Sequence, residues 1–301
     1  MRFGVNIPNY GPTASPDAML ASVRHAEDLG LDLAMLSDHI AVTPDVAAQY
    51  PAPFYEPLTA LAWLAGRTER IRLGTTVLIL PYRDPLLTAR VTANLDHYTA
   101  GRLVLGVGIG WAEDEFGALK VPFAERGRIT DEYLAALHTL WAEDVATFEG
   151  AYTSFRDVYT APRPLQSPRP PVWIGGNSPA AIRRTVRHGD TWHPLGVTTR
   201  WLEKQGLPAL RAAAEQAARP TPTVALRTPL RVTTTPLPDA DRLPGEGTLD
   251  QIETDLATVA ALGIDHVLLD PRYRDSTRLQ SPDTDRAALE AVAPLLATHG
   301  A

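Results

Sequence analysis

SPDAMLASVRHAEDLGLDLAML, residues 15 to 36, contains one helix and one strand with their punctuation in place. Ser15 stands where an N-cap belongs, and Pro16 follows at the first helical position, where a missing N–H costs nothing. Met19, Leu20, Val23, Ala26 and Leu29 recur at helical spacing and form one apolar face, and Gly30 supplies the stop. DLAML (32–36) then reads as a strand. The last such unit repeats this grammar. Thr248 with Gln251 three residues on is a capping box, Ile252, Leu256 and Val259 give a buried stripe, Gly263 ends the helix, and DHVLLD (265–270) follows as a strand.

Working outward, β-type runs fall at 2–7, 32–36, 70–80, 102–107, 171–175, 190–194, 223–232 and 265–270. Helical patterns fall between and after them, at 57–66, 85–97, 124–141, 178–188, 199–217 and 284–297 as well as the two above. Strands alternating with helices pair in parallel, and eight such units in this length predict an α/β fold, a closed (β/α)8 TIM barrel forming one domain over 1–301. Counting leaves an open sheet as the alternative. Two stretches break the alternation. Residues 145–170, ending in APRPLQSPRPP, read as an extra hairpin and connector, and residues 233–247, TTTPLPDADRLPGEG, read as a mobile loop on the side where barrel active sites lie.

With 45% hydrophobic and 21% charged residues, the composition is that of a globular protein. No aliphatic run approaches the roughly 18 residues of a membrane span. The opening MRFGVNIPNYG reads as a strand and turn, not as a secretory leader, so a cytoplasmic location is expected. The absence of cysteine excludes disulfides, thiol catalysis and cysteine-ligated metals, and a formal charge of −7 argues against nucleic-acid binding. His25, His97, His138, His188 and His299 lie in predicted helices at spacings unlike a metal motif, so no metal is expected.

In a barrel the loops after the strands form the site. After strand two comes Ser37-Asp38-His39, where an imidazole beside a carboxylate suits proton transfer near neutral pH; a turn-capping Asp with a surface His is the ordinary reading. Strand three ends in Gly74-Thr75-Thr76-Val77, where a glycine inside a strand marks a bulge or a close approach. Strand four ends in GVGIGW (106–111), which lacks the G-x-G-x-x-G spacing and first-strand position of a dinucleotide fingerprint; its glycines suggest a flat ligand lying close to the backbone. After strand five, Gly175-Gly176-Asn177-Ser178 opens a helix, the arrangement that offers N–H groups and a dipole to a phosphate. Trp111, Trp173, Trp192 and His193 could wall a planar ligand, although each alone also suits a core. Glu56, just before Pro57, is read as a helix-capping carboxylate and left outside the site.

Together these pieces resemble the luciferase-like monooxygenase superfamily, and within it the group that uses coenzyme F420. The resemblance spans nearly the whole chain through LSDHI (36–40), LAGRTERIRLGTTV (64–77), LDHYTAGRLVLGVGIGWAEDEF (95–116), 123–128 with LHTLWAEDVATFEG (137–150), and PPVWIGGNSPAAIRR (170–184) running on to HGDTWHP (188–194). It implies that Asp38 and His39 contact the deazaflavin ring, with His39 as proton donor oriented by Asp38. It implies that Thr76 and Val77 form the strand-three bulge with a non-prolyl cis peptide, that Ile109 and Gly110 contact the cofactor, and that Gly175, Gly176, Asn177 and Ser178 form the phosphate loop. Some sugar-phosphate dehydrogenases of the group carry Glu where this chain has Trp111, so their substrate does not transfer. Trp111 and His193, together with the 145–170 and 233–247 stretches, are expected to shape the substrate pocket. The expected activity is hydride transfer between F420 and an activated C=C, C=N or C=O bond of a small molecule. Reduced FMN on the same barrel is the nearest alternative, and a non-catalytic cofactor-binding protein is another. Pairing into a homodimer is expected by fold analogy alone.

Overall fold

The computed structural model describes residues 1–240, 242–273 and 282–300. Its elements are β1 (Arg2–Ile7), α1 (Pro16–Asp28), β2 (Leu33–Leu36), α2 (Pro44–Ala47), α3 (Pro57–Ala65), β3 (Arg72–Thr75), β4 (Leu78–Ile79), α4 (Pro85–Tyr98), β5 (Leu103–Gly108), α5 (Glu113–Ala118), α6 (Arg126–Ala142), β6 (Val145–Glu149) and β7 (Ser154–Tyr159). They continue with β8 (Val172–Gly175), α7 (Pro179–His188), β9 (Thr191–His193), α8 (Thr199–Trp201), α9 (Leu207–Gln216), β10 (Thr223–Pro229), β11 (Arg231–Val232), β12 (Glu246–Gly247), α10 (Leu249–Ala261), β13 (His266–Asp270) and α11 (Pro282–His299).

All pairings around the ring β1-β2-β3-β5-β8-β9-β10-β13 are parallel, and β13 returns to β1. The eight strands of this ring therefore close as the predicted barrel. The local grammar is as read. Ser15 caps α1 by accepting from the Ala18 N–H at 3.1 Å, and Thr248 with Gln251 forms the capping box of α10. Leu33, Met35, Val104, Trp173, Ala225 and Leu268 fill the barrel interior. Each of the larger ones stabilises the fold by roughly 1.5–3 kcal/mol through burial. Among the described residues, no helix is long and apolar enough to cross a membrane.

Two elements differ from expectation in their bounds. The strand expected over 70–80 is split: β3 stays between β2 and β5, then the chain turns through a cis Thr76–Val77 peptide before β4 rejoins β5 at Leu78↔Val107. The helix expected over 199–217 is broken by a π turn, Leu202–Gly206. Pro208 has no N–H for the Lys204 carbonyl, and the ladder slips by one residue there. The 145–170 stretch is an antiparallel β6–β7 hairpin and connector, as read. In the 233–247 stretch, read as a mobile loop, the described residues include Gly245, whose carbonyl accepts from the Arg231 N–H at 2.9 Å, and Leu237, whose backbone exchanges hydrogen bonds with the Gln251 side chain at 3.0 and 2.8 Å. Among the described residues, neither stretch contributes to the lining of the two cavities at the strand ends; one packs on α6 outside the barrel and the other on α10.

Candidate active site

The carboxyl ends of the barrel strands surround a cavity of about 270 Å³. Asp38, His39, Thr76, Val77, Ile109, Gly110, Trp111, Gly175, Gly176 and His193 all line it, so residues spread over more than half the chain converge as expected. Asn177 and Ser178 do not. Asn177 bridges to the backbone of Leu195, at 2.8 Å through its amide nitrogen and 3.1 Å through its oxygen, and Ser178 caps α7 by accepting from the Ala181 N–H at 3.1 Å. They hold the loop that presents the two glycines.

Val77 forms the floor. A Cβ placed on Gly108 would stand 2.4 Å from Val77 Cγ2, and one on Gly175 would stand 2.9 Å from Val77 Cγ1. Gly110, at φ +76°, would drive a Cβ to 2.7 Å from Phe116 and 2.8 Å from Ile79. The strand-end glycines thus admit protein atoms, which corrects the expectation that they clear space for a ligand. Val77 enters between two strands, and its side chain is what faces the cavity.

His39 is buried, and its Nδ1 lies 2.6 Å from Glu115 Oε2. Glu115, at the heart of WAEDEF, is fully buried and also accepts from the Ile40 N–H (2.7 Å), the Ala41 N–H (3.0 Å) and the Tyr82 hydroxyl (3.0 Å). With a carboxylate oxygen as its neighbour, His39 Nδ1 is the protonated nitrogen on that side. His39 Nε2 makes no hydrogen bond among the described residues, and the ring lies among Tyr50, Phe54 and Trp111 at centroid distances of 5.0, 5.6 and 5.7 Å.

Asp38 therefore does not orient His39, contrary to expectation, because its oxygens are already taken. They accept from the Ile79 N–H at 2.8 Å and from Arg83 Nη1 and Nη2 at 2.6 and 2.8 Å. Burial pushes the Asp38 carboxyl up, against the pull of Arg83. Arg83 also reaches Glu56 at 2.8 Å. Glu56 is the cap that the sequence suggests, accepting from the Thr59 N–H at 2.7 Å, and it supports the site through Arg83 as well.

On the far wall, His193 Nδ1 lies 2.6 Å from the Ala225 carbonyl, which can only accept, so Nδ1 carries the proton. Its Nε2 is then an acceptor for the Thr76 hydroxyl at 2.9 Å. Burial pushes the His193 imidazole down to about 3, so the ring is neutral at physiological pH. Arg227, which the sequence reading missed, donates to the Thr76 carbonyl at 2.7 Å and pairs with Asp270 at 2.6 and 2.9 Å. An arginine inside the run TVALRTP, matched by an aspartate ending DHVLLD, was the available signal.

A family model described as luciferase-like monooxygenase matches residues 1–243. The FMNH(2)-dependent dimethylsulfone monooxygenase of Pseudomonas putida is 32% identical over 154 residues, 50% of this chain and 42% of that protein. The F420-dependent glucose-6-phosphate dehydrogenase of Microbacterium testaceum is 35% identical over 195 residues, 62% of this chain and 54% of that protein. The chain thus spans about half the length of the curated relatives it matches. Among solved structures, monooxygenase RslO1 from Streptomyces bottropensis superposes with a TM-score of 0.81 at 24% identity over 100% of both chains, a likeness of fold.

Proposed function

The chain belongs to the luciferase-like monooxygenase family, and on that premise we propose that it is a coenzyme F420-dependent oxidoreductase acting on a small molecule with an activated C=C, C=N or C=O bond. The observation that carries this reading is His39, anchored at Nδ1 by buried Glu115 with Nε2 left for the cavity. A bound deazaflavin supplies hydride chemistry and reacts poorly with oxygen; the protein must position it and handle the proton.

The cavity suits a flat tricyclic group. Val77, Ile79 and Ile109 give it apolar walls, and Gly175 and Gly176 lead from it to the N-terminus of α7, whose dipole favours a phosphate. His39 is the proton donor on this reading. The Glu115 carboxylate fixes the ring through Nδ1, so that Nε2 is the nitrogen that delivers the proton toward substrate. His193 does not compete for that role, being neutral and turned to accept from Thr76. Asp38, held by Arg83, contributes a fixed carboxylate beneath the same edge.

The relatives named as F420-dependent support the choice of cofactor. Reduced FMN is the second reading, favoured by the Pseudomonas putida relative. Titration with each oxidised cofactor, followed by absorbance and fluorescence, separates them: tight FMN binding without F420 binding overturns the first. In single-turnover oxidation of the reduced cofactor, His39→Ala should keep cofactor affinity within about threefold and lose about 10²–10⁴ in rate. Unchanged turnover removes His39 from the proton step.

A further inference from the structure

A second cavity of about 470 Å³ joins the first through Tyr50, Trp111, Leu195 and Arg227. Among the described residues, its charged lining consists of Arg227, Asp270 and Arg272. Both guanidiniums are matched. Arg227 pairs with Asp270, and Arg272 Nε lies 3.1 Å from Asp285 while its backbone N–H donates to Asp270 at 3.1 Å. A phosphate or carboxylate entering here would lose its water and meet cations whose charge is already balanced.

Among the described residues of the lining, the open hydrogen-bonding groups are neutral. Tyr10 lines this cavity, and its accessible hydroxyl makes no hydrogen bond among the described residues. The Tyr50 hydroxyl and the Gln49 amide, on the same lining, are likewise unbonded among the described residues. Burial pushes both phenols up, so both remain O–H donors. Trp111, 41% exposed, contributes an open aromatic surface at the junction with His39.

Resting on the F420 reading of the first cavity, we propose that this second cavity is the substrate subsite and takes an uncharged planar molecule. The ring lies against Trp111 and a carbonyl or hydroxyl oxygen accepts from Tyr10. Phosphate and carboxylate anions are discriminated against, which sets the substrate class apart from phosphorylated sugars.

The test is calorimetric titration of the whole chain with α-tetralone, a neutral planar ketone, against naphthyl phosphate and naphthoate, anions of similar ring size. α-Tetralone should bind, and both anions should bind at least about tenfold more weakly. Tyr10→Phe keeps the ring packing against Phe54 (5.6 Å) and Tyr50 (5.0 Å) and should weaken α-tetralone about five- to tenfold, the loss of one hydrogen bond. Trp111→Ala should weaken it as well. Equal or tighter binding of either anion overturns the proposal, as does no binding of α-tetralone or no effect of Tyr10→Phe. F420 titrated in parallel keeps the two readings apart. Loss of F420 binding with the ketone pattern intact removes the cofactor assignment alone, and the reverse result removes the subsite alone.

Discussion

Glu115 is the residue on which the candidate site most depends, and two substitutions measure that dependence. Glu115→Ala removes the acceptor for four donors: His39 Nδ1–H, the Tyr82 hydroxyl and the Ile40 and Ala41 amides. Ile40 is 41% exposed, so water can serve the two amides in part, and the cost falls on the two buried side-chain donors. At about 1–3 kcal/mol for each stranded buried donor, with a further loss for the space left behind, Glu115→Ala should destabilise by about 3–5 kcal/mol. Glu115→Gln keeps the volume. Its amide oxygen can take the two backbone N–H groups, while its NH2 faces a hydroxyl and a ring nitrogen that can both turn to accept. Only the charge assistance is lost, about 1–2 kcal/mol in all. Guanidinium denaturation followed by tryptophan fluorescence should separate the variants by about 2 kcal/mol. Hydrogen exchange over residues 37–43 should rise about thirtyfold in the alanine variant, the equivalent of about 2 kcal/mol, and little in the glutamine variant. Nitrogen-correlated NMR of His39 should show the ring proton moving from Nδ1 to Nε2 in Glu115→Gln. Equal destabilisation by both variants, or a loss under about 1 kcal/mol in Glu115→Ala, would refute the anchoring argument.

Three further outcomes follow from the same contacts. Burial holds His138, His188 and His266 down at about 4 and His193 at about 3, below the roughly 6.5 of an unfolded chain, so the unfolded state binds the extra protons. Their stabilisation is complete above about pH 6.5 and is lost as pH falls toward 4 and then 3; scanning calorimetry should show Tm dropping through that window, and His138→Phe should lower the slope by about one proton, whereas an unchanged slope counts against it. Gly108→Ala should destabilise by about 1–3 kcal/mol by driving a methyl group into Val77, and Val77→Ala in the same chain should recover part of the loss in denaturant midpoint. Arg83→Met strands the buried Asp38 carboxylate and should cost about 3–5 kcal/mol, more than Arg83→Lys, with the order read from thermal melts.

The barrel was legible because its signals are local. Ser15, Pro16 and Gly30 act within one helix, and Thr248 with Gln251 within one turn, so spacing alone carries them. The strand-end positions of the site were legible for the same reason, since Ser37–His39, Thr76, GVGIGW and Gly175 each follow a readable strand. Partners were not. Glu115 meets His39 across 76 positions and Arg227 meets Thr76 across 151, and on the page each is a charged residue whose usual place is in water. Asp38 shows how adjacency misleads: next to His39 in the chain, it turns to Arg83 and the Ile79 amide, while the imidazole finds its carboxylate on another element. The glycines mislead differently. They report a close approach correctly, but only coordinates reveal that Val77 is what approaches.

That clasp of Val77 between Gly108 and Gly175 ties three separated segments into one steric unit. The depth of the cavity is a property of a triplet, since enlarging either glycine demands a smaller residue at 77, and a bulkier residue at 77 can only rise into the bay. Relatives that accommodate a thicker or thinner ligand should therefore differ at all three positions together. Libraries meant to retool the pocket should recover more stable members when the three codons are varied jointly.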